Sequence, residues 1–118
     1  MTKNTVLIVD DEPNVRGFVR RVLLRQGCEI LEAKDGIEAL ELLKRVFGGI
    51  QLRITDLDMP RMDGVTLGQK VNADFPDVAV LYMSGIVRGS DMGVANDHFL
   101  SKPFRADALI HRVQGLCA

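Results

Sequence analysis

Four short apolar runs in this chain each end in residues that can do chemistry. Val6-Leu7-Ile8-Val9 runs into Asp10-Asp11-Glu12, Leu52-Arg53-Ile54-Thr55 into Asp56, Val78-Ala79-Val80-Leu81-Tyr82-Met83 into Ser84, and Phe99-Leu100-Ser101 into Lys102-Pro103. If the runs are neighbouring parallel strands, their polar ends meet at one edge of one sheet. That edge holds three aspartates, a hydroxyl and an ammonium. Two unit charges 4 Å apart repel by about 4 kcal/mol at an effective dielectric near 20. Such an edge needs a cation or raised carboxyl pKa values. Carboxylate oxygens with no His or Cys beside them favour Mg2+, or Mn2+, over zinc. Mg2+ keeps several waters, which leaves a place for a phosphate oxygen.

The charges balance in an informative way. Three ionised aspartates, one divalent cation and the Lys102 ammonium sum to about zero. Replacing one carboxylate by a phosphoryl group of about −2 leaves the loaded site at about −1. Nearby donors then gain a reason to move. Ser84 can donate a hydrogen bond to a phosphoryl oxygen, and Lys102 can act on another as a point charge. Asp56 is the central acid and the nucleophile of choice, since carboxylates form acyl phosphates. Catalysis of that step is positioning plus charge neutralisation. Any one of these acids alone could be a helix cap or a turn residue. The five polar ends together are what point to a site.

The elements that must bring those ends together follow a rhythm of strand then helix, five times over, as in βαβ units with a parallel sheet. Val6 to Val9 is apolar on both faces and reads as a central strand. A first helix opens at Pro13 behind the acidic Asp11-Glu12, buries Val15, Phe18, Val19, Val22 and Leu23, and ends at Gly27. Cys28 to Ala33 alternates, with Glu29 and Glu32 separated by apolar residues, and reads as an edge strand. Asp35 caps a second helix from Gly36 to about Phe47, with Ile37, Leu40, Leu43 and Phe47 as its buried face. The third strand is followed by a turn over Met59 to Gly64, then a helix from about Val65 to Asp74 that stops before Pro76. The Val78 run is the fourth strand. Helix four should fall between Gly85 and Asp97, a stretch carrying Gly85, Gly89 and Gly93. A short fifth strand spans His98 to Ser101, and the fifth helix starts with Pro103 and runs to about Leu116.

Right-handed crossovers and an amphipathic second strand suit the order 2-1-3-4-5. The expected fold is α/β: a single-domain, doubly wound (βα)5 sandwich over residues 1–118. In such sheets ligands bind beyond the carboxyl ends of the strands, at the switch between strands one and three, where Asp10, Asp11 and Asp56 belong.

The bulk numbers agree. The 118 residues suit one domain, 47% are hydrophobic and 26% charged, and a chain of this length can bury roughly two-thirds of its unfolded surface. A net charge of −1 gives no footprint for nucleic acid or an anionic membrane. No apolar stretch approaches the length of a membrane span. The N-terminus leads directly into a strand without room for a signal peptide, so the expected location is cytoplasmic. Cys28 and Cys117 form no CxxC pair and read as small thiols in a reducing compartment.

The chain resembles the receiver domain of two-component response regulators, the flavodoxin/CheY-like fold of the chemotaxis receiver. The resemblance rests on Val9-Asp10-Asp11-Glu12, Ala33 to Leu40, Thr55-Asp56-Leu57-Asp58-Met59-Pro60, Met62-Asp63-Gly64, Met83-Ser84-Gly85 and Lys102-Pro103-Phe104, in this order across essentially the whole chain. It implies a phospho-acceptor at Asp56, loaded from a phosphohistidine on a sensor histidine kinase or a phosphotransfer protein. It implies Mg2+ held by Asp11, Asp56 and the backbone carbonyl of Asp58, with Asp10 acting through water. It puts Ser84 and Lys102 on the phosphoryl oxygens and makes Ser84 and Phe99 the switch pair. The expected protein is not a turnover enzyme, although it catalyses its own phosphorylation and dephosphorylation. Its partners are the phosphodonor and a downstream protein target, with no direct contact to nucleic acid or membrane. Arg16, Arg20 and Arg21 are candidate contacts for acidic groups on a partner, or else a solvated basic face. The sequence ends with the fifth helix, so output is expected to pass through protein contacts if the chain is complete.

Three features depart from the family pattern. Arg53 stands where an apolar strand residue is usual, and it is expected near the strand's start with its head reaching solvent. Asp58 and Ile86 flank the route of a hydrolytic water in this family and should influence phosphoryl lifetime. Ser84 and Lys102 are closer in sequence than in typical receivers by about one helical turn, so helix four is expected to be short, displaced or poorly ordered. Two other readings compete. Asp56-Leu57-Asp58 is similar to the DxD motif of haloacid-dehalogenase-type phosphatases, although that motif belongs to an early strand of a longer chain. A degenerate receiver serving as a scaffold is the other, and the intact acidic set argues against it.

Overall fold

In the computed structural model, residues 4–46, 49–58, 75, 77–85 and 95–117 are described. Five parallel strands, β1 (Thr5–Val9), β2 (Glu29–Ala33), β3 (Leu52–Asp56), β4 (Ala79–Ser84) and β5 (Phe99–Ser101), form one sheet in the order β2-β1-β3-β4-β5. Helices α1 (Pro13–Arg25), α2 (Gly36–Arg45) and α3 (Ala106–Cys117) pack on it, and a 3-10 turn at Asn96–His98 leads into β5. The expected sheet order is therefore observed. The expected turn over Met59 to Gly64, the helix from Val65 to Asp74, and the body of helix four lie outside the described residues, as do Phe47 and Ile86.

Alternation along each strand sends side chains to two cores. Val6 and Ile8 of β1 join Leu52, Ile54, Leu81, Met83 and Leu100 beneath α1 and α3, which contribute Val19, Leu23, Leu109 and Val113. Leu7 and Val9 point the other way, to Ala33, Ala39, Leu43 and Ile50 around α2. β1 is thus apolar on both faces because both faces are covered. β2 at the edge is exposed at Glu29 and Glu32.

The helix signals read as chemistry predicts. Asp35 caps α2, its side chain accepting from the Glu38 amide at 2.8 Å. Gly27 follows α1 with φ +85°, a conformation that a Cβ would strain. Two expectations fail. Ile37 is 38% exposed; Leu43 is buried and Leu40 packs against the same core as expected, with Gly36 and Ala39 completing the buried side of α2. With Gly36 and Ala39 on the side that faces the sheet, Ile37 falls on the neighbouring outer side. The last helix begins at Ala106 rather than Pro103. The intervening residues carry Phe104 across to Phe18, ring centroids 6.0 Å apart, before the helix can start.

Arg53 is the largest correction. It does not reach solvent: it is fully buried, and among the described residues none of its three guanidinium nitrogens has a hydrogen-bond partner of good geometry, Tyr82 being its nearest polar neighbour. As expected it stands near the start of β3, as the strand's second residue and paired with Val80 in the register, but its head is buried there instead of reaching out. The guanidinium carbon lies 5.6 Å from the Tyr82 ring centroid, a cation–π contact. Burial lowers its pKa from the ordinary arginine value, while the neighbouring Tyr82 acts in the opposite direction. An unsatisfied buried donor costs about 1–3 kcal/mol, and more when charged. Arg53→Met keeps the stem and removes the unpaired head. It should raise the unfolding free energy by about 1–3 kcal/mol, read as a higher midpoint in urea. A lower midpoint would mean that the Tyr82 contact outweighs the desolvation of the charge.

Candidate functional site

The ends of β1, β3, β4 and β5 converge as the register requires. Val9 pairs with Thr55, Asp56 with Met83, and Ser84 with Ser101, so Asp10, Asp56, Ser84 and Lys102 leave the sheet at one edge. Backbone bonds pin each exit. Asp10 N–H donates to the Ala33 carbonyl at 3.1 Å, Leu57 N–H to Met83 at 2.9 Å, and Lys102 N–H to Ser84 at 2.9 Å.

Carboxylate oxygens of Asp10, Asp11 and Asp56 lie within 4.8 Å of one another. Asp10 and Asp56 are buried, whereas Asp11 is exposed. The Lys102 ammonium bridges the two buried acids, at 3.0 Å from Asp10 Oδ2 and 3.3 Å from Asp56 Oδ1. Each acid also accepts from the backbone two residues ahead: Glu12 N–H to Asp10 Oδ1 at 2.9 Å, and Asp58 N–H to Asp56 Oδ1 at 3.1 Å. These Asx-type turns aim both carboxylates along the strand axis. The oxygen donors and their spacing fit a hard divalent cation, and the set offers neither imidazole nor thiolate.

The electrostatics show an edge short of positive charge. Burial raises the Asp56 pKa and the Asp10 charge adds to it, against the Asp58 amide and Lys102. Burial likewise raises Asp10, against the Glu12 amide and Lys102. For Lys102, burial alone would lower the pKa, but Asp10 and Asp56 together outweigh it and leave it raised.

Ser84 and Asp58 form a unit that sequence reasoning did not find. The Ser84 hydroxyl donates to the Asp58 carboxylate, 3.0 Å from Oδ1 and 3.2 Å from Oδ2, and the Gly85 N–H donates to Oδ2 at 3.2 Å. The Asp58 carboxylate therefore faces the end of β4, apart from the three clustered acids. Only its side chain's reach across to β4 could reveal this, and no local pattern encodes it. Phe99 is already buried, in register with Tyr82. Arg16 donates to the Asp10 carbonyl at 2.7 Å and, with Arg20, pairs with Glu32 at 3.4 Å and 3.7 Å. Part of the basic face of α1 thus braces β1 and β2. His98, given no role from its spacing, sits with Nδ1 2.8 Å from the Val80 carbonyl and ties the 3-10 turn to β4.

A sheet of this order, with an acidic carboxyl-terminal edge bridged by a lysine, defines a doubly wound α/β protein whose ligand site lies at that edge. The chain matches the response regulator receiver domain family over residues 6–114 and belongs to it. Sensor kinase CckA of Brucella abortus (strain 2308) is 34% identical over 114 residues, which cover 93% of this chain and 12% of that protein. Response regulator GtcR of Aneurinibacillus migulanus is 32% identical over 93% of this chain and 46% of that protein. The crystal structure of the receiver domain from the hybrid histidine kinase CckA superposes with a TM-score of 0.82 at 36% identity, covering 98% of this chain and 100% of that one. The chain spans less than half the length of these two curated relatives. Among the described residues, no helix is long and apolar enough to cross a membrane.

The raised Asp56 pKa has a sign that can be tested. A carboxyl whose folded pKa is raised binds its proton more tightly in the folded state. Its stabilising contribution is full below the ordinary value of 3.8 and is lost as pH rises through the raised value. Asp56→Asn stays neutral throughout. In EDTA at pH 7 it should unfold at a higher temperature than the parent protein, and the gap should narrow toward pH 4. Equal midpoints at both pH values would show that Lys102 already cancels the cost.

Proposed function

We propose that Asp56 accepts a phosphoryl group from the phosphohistidine of a sensor histidine kinase or phosphotransfer protein, and that this loading controls a downstream protein partner. An Asp56 carboxylate oxygen attacks phosphorus, a P–O bond forms, the P–N bond breaks, and the electron pair stays with the departing imidazole. The observation that carries this reading is the bridge from Lys102 to both Asp10 and Asp56 beside Asp11. Lys102 can neutralise a phosphoryl oxygen at a group it already touches. Asp11 and Asp56, with the Asp58 carbonyl and with Asp10 through water, would hold Mg2+, or Mn2+. When bound, the cation supplies neutralisation of the charge that accumulates in phosphoryl transfer. Ser84 supplies a hydroxyl donor, and Ser84 with Phe99 forms the switch. The protein acts on itself and turns over no separate substrate. The working location is the cytoplasm, where such donors are found.

Incubation with a small-molecule acyl phosphate and Mg2+ should add one phosphoryl group by intact mass. Asp56→Asn should show none, and EDTA should suppress labelling of the parent. Sustained hydrolysis of a phosphate monoester would instead favour a haloacid-dehalogenase-like phosphatase. A parent protein that stays unlabelled would leave only the scaffold reading.

A further inference from the structure

Asp58 engages the acceptor and its neighbouring donors in two opposed ways. Its amide donates to Asp56 Oδ1 at 3.1 Å, which steadies the acceptor. Its carboxylate takes the Ser84 hydroxyl and the Gly85 N–H, at 3.0 to 3.2 Å. A serine hydroxyl carries one proton and serves one acceptor group at a time. Ser84 is 1% exposed, so bulk water does not compete for that proton. Both donors lie at the end of β4, next to the end of β3 that carries Asp56. A phosphoryl group on Asp56 would bring about two negative charges and three acceptor oxygens to that place.

We propose that the Asp58 carboxylate is an internal stand-in for the phosphoryl group. It occupies the Ser84 and Gly85 donors in the resting protein, and a phosphoryl group on Asp56 must displace it to gain them. Asp58 is on this view a positioning residue that acts through Ser84. The inference rests on the reading of Asp56 as acceptor and deepens it. The consequence is a tax on loading: the donors are available only in the fraction of molecules where Asp58 has let go, and apparent affinity for a phosphoryl group falls by that fraction. The carboxylate adds plain repulsion as well, so the test must separate charge from competition.

The probe is beryllofluoride with Mg2+, titrated calorimetrically into the full chain as the parent, Asp58→Ala, Asp58→Asn, Ser84→Ala, the Ser84→Ala/Asp58→Ala double variant, and Asp56→Asn. Competition predicts that Asp58→Ala binds about tenfold more tightly than the parent, equivalent to about 1.4 kcal/mol. In the Ser84→Ala background the same change should give no more than about threefold, because neighbouring partners couple. Asp58→Asn should fall between parent and Asp58→Ala, and it carries the test if the alanine variant does not fold. Equal tightening in both backgrounds would reduce Asp58 to a simple charge and overturn the proposal. Unchanged or weaker binding by the Asp58 variants would overturn it too. If the parent binds no beryllofluoride, or Asp56→Asn binds it equally well, the acceptor reading fails and this inference falls with it. If the parent binds and only the Asp58 pattern is absent, the acceptor reading stands alone.

Discussion

Like charges at the carboxyl-terminal edge of the sheet are the constraint on which the rest of the structure depends. Asp10 and Asp56 are buried side by side, and one ammonium serves both. Among the described residues a single positive charge serves two buried acids with Asp11 beside them, and burial, with the neighbouring acid, leaves the pKa of each buried acid raised. Lys102 feels the opposite side of the same imbalance and holds its proton more firmly. A protein that kept this edge only for stability would do better with apolar side chains. The imbalance supports the proposed role of this edge as a place for a cation and a transferable anion.

Every larger feature of the fold serves that edge. β5 is only three residues long, yet it carries the lysine from the far side of the sheet to the acids on β1 and β3. The adjacency of β1 and β3, which are separated in sequence by all of β2 and α2, is what lets Asp10 approach Asp56. The two apolar cores on either face hold the strands in register, and a one-residue slip would send each acid to the opposite face. Arg16 adds a local brace, because its bonds to the Asp10 carbonyl and to Glu32 tie the exit of β1 to its edge neighbour.

Much of this was legible in the sequence, for a physical reason. Strands buried on both faces read as unbroken apolar runs, and their polar ends stand out sharply, so Asp10, Asp56, Ser84 and Lys102 could be assigned to one edge before any coordinates. The Asp35 cap and the Gly27 stop were equally plain, because each satisfies a backbone requirement within a few residues. What escaped was decided by distant packing. Ile37 lay on a helix face one position away from the stripe that Ala39 and Leu43 bury. Pro103 carried a good helix-start signal, but Phe104 is engaged with Phe18 and delays the helix. The grip of Asp58 on Ser84 spans 26 positions and has no periodic trace in the chain.

β3 concentrates these departures. One face of the strand is ordinary, with Leu52 and Ile54 in the larger core. The other carries Arg53 and Thr55, both fully buried, and among the described residues the guanidinium nitrogens and the Thr55 hydroxyl have no hydrogen-bond partner of good geometry. Two unsatisfied polar residues immediately before the proposed acceptor are costly, and a sequence optimised for stability alone would not retain them. Local rules tend to be broken where function compensates for the loss. Tyr82 links this irregular face to the other strands. It lies against Arg53, pairs with Thr55 across the β3–β4 ladder and with Phe99 across β4–β5. The strand that carries Asp56 is therefore joined, through one aromatic residue, to the strand that carries Phe99. Any shift of Ser84 toward Asp56 begins two residues from that ring, on the same face of β4, and Tyr82 is the side chain best placed to feel it.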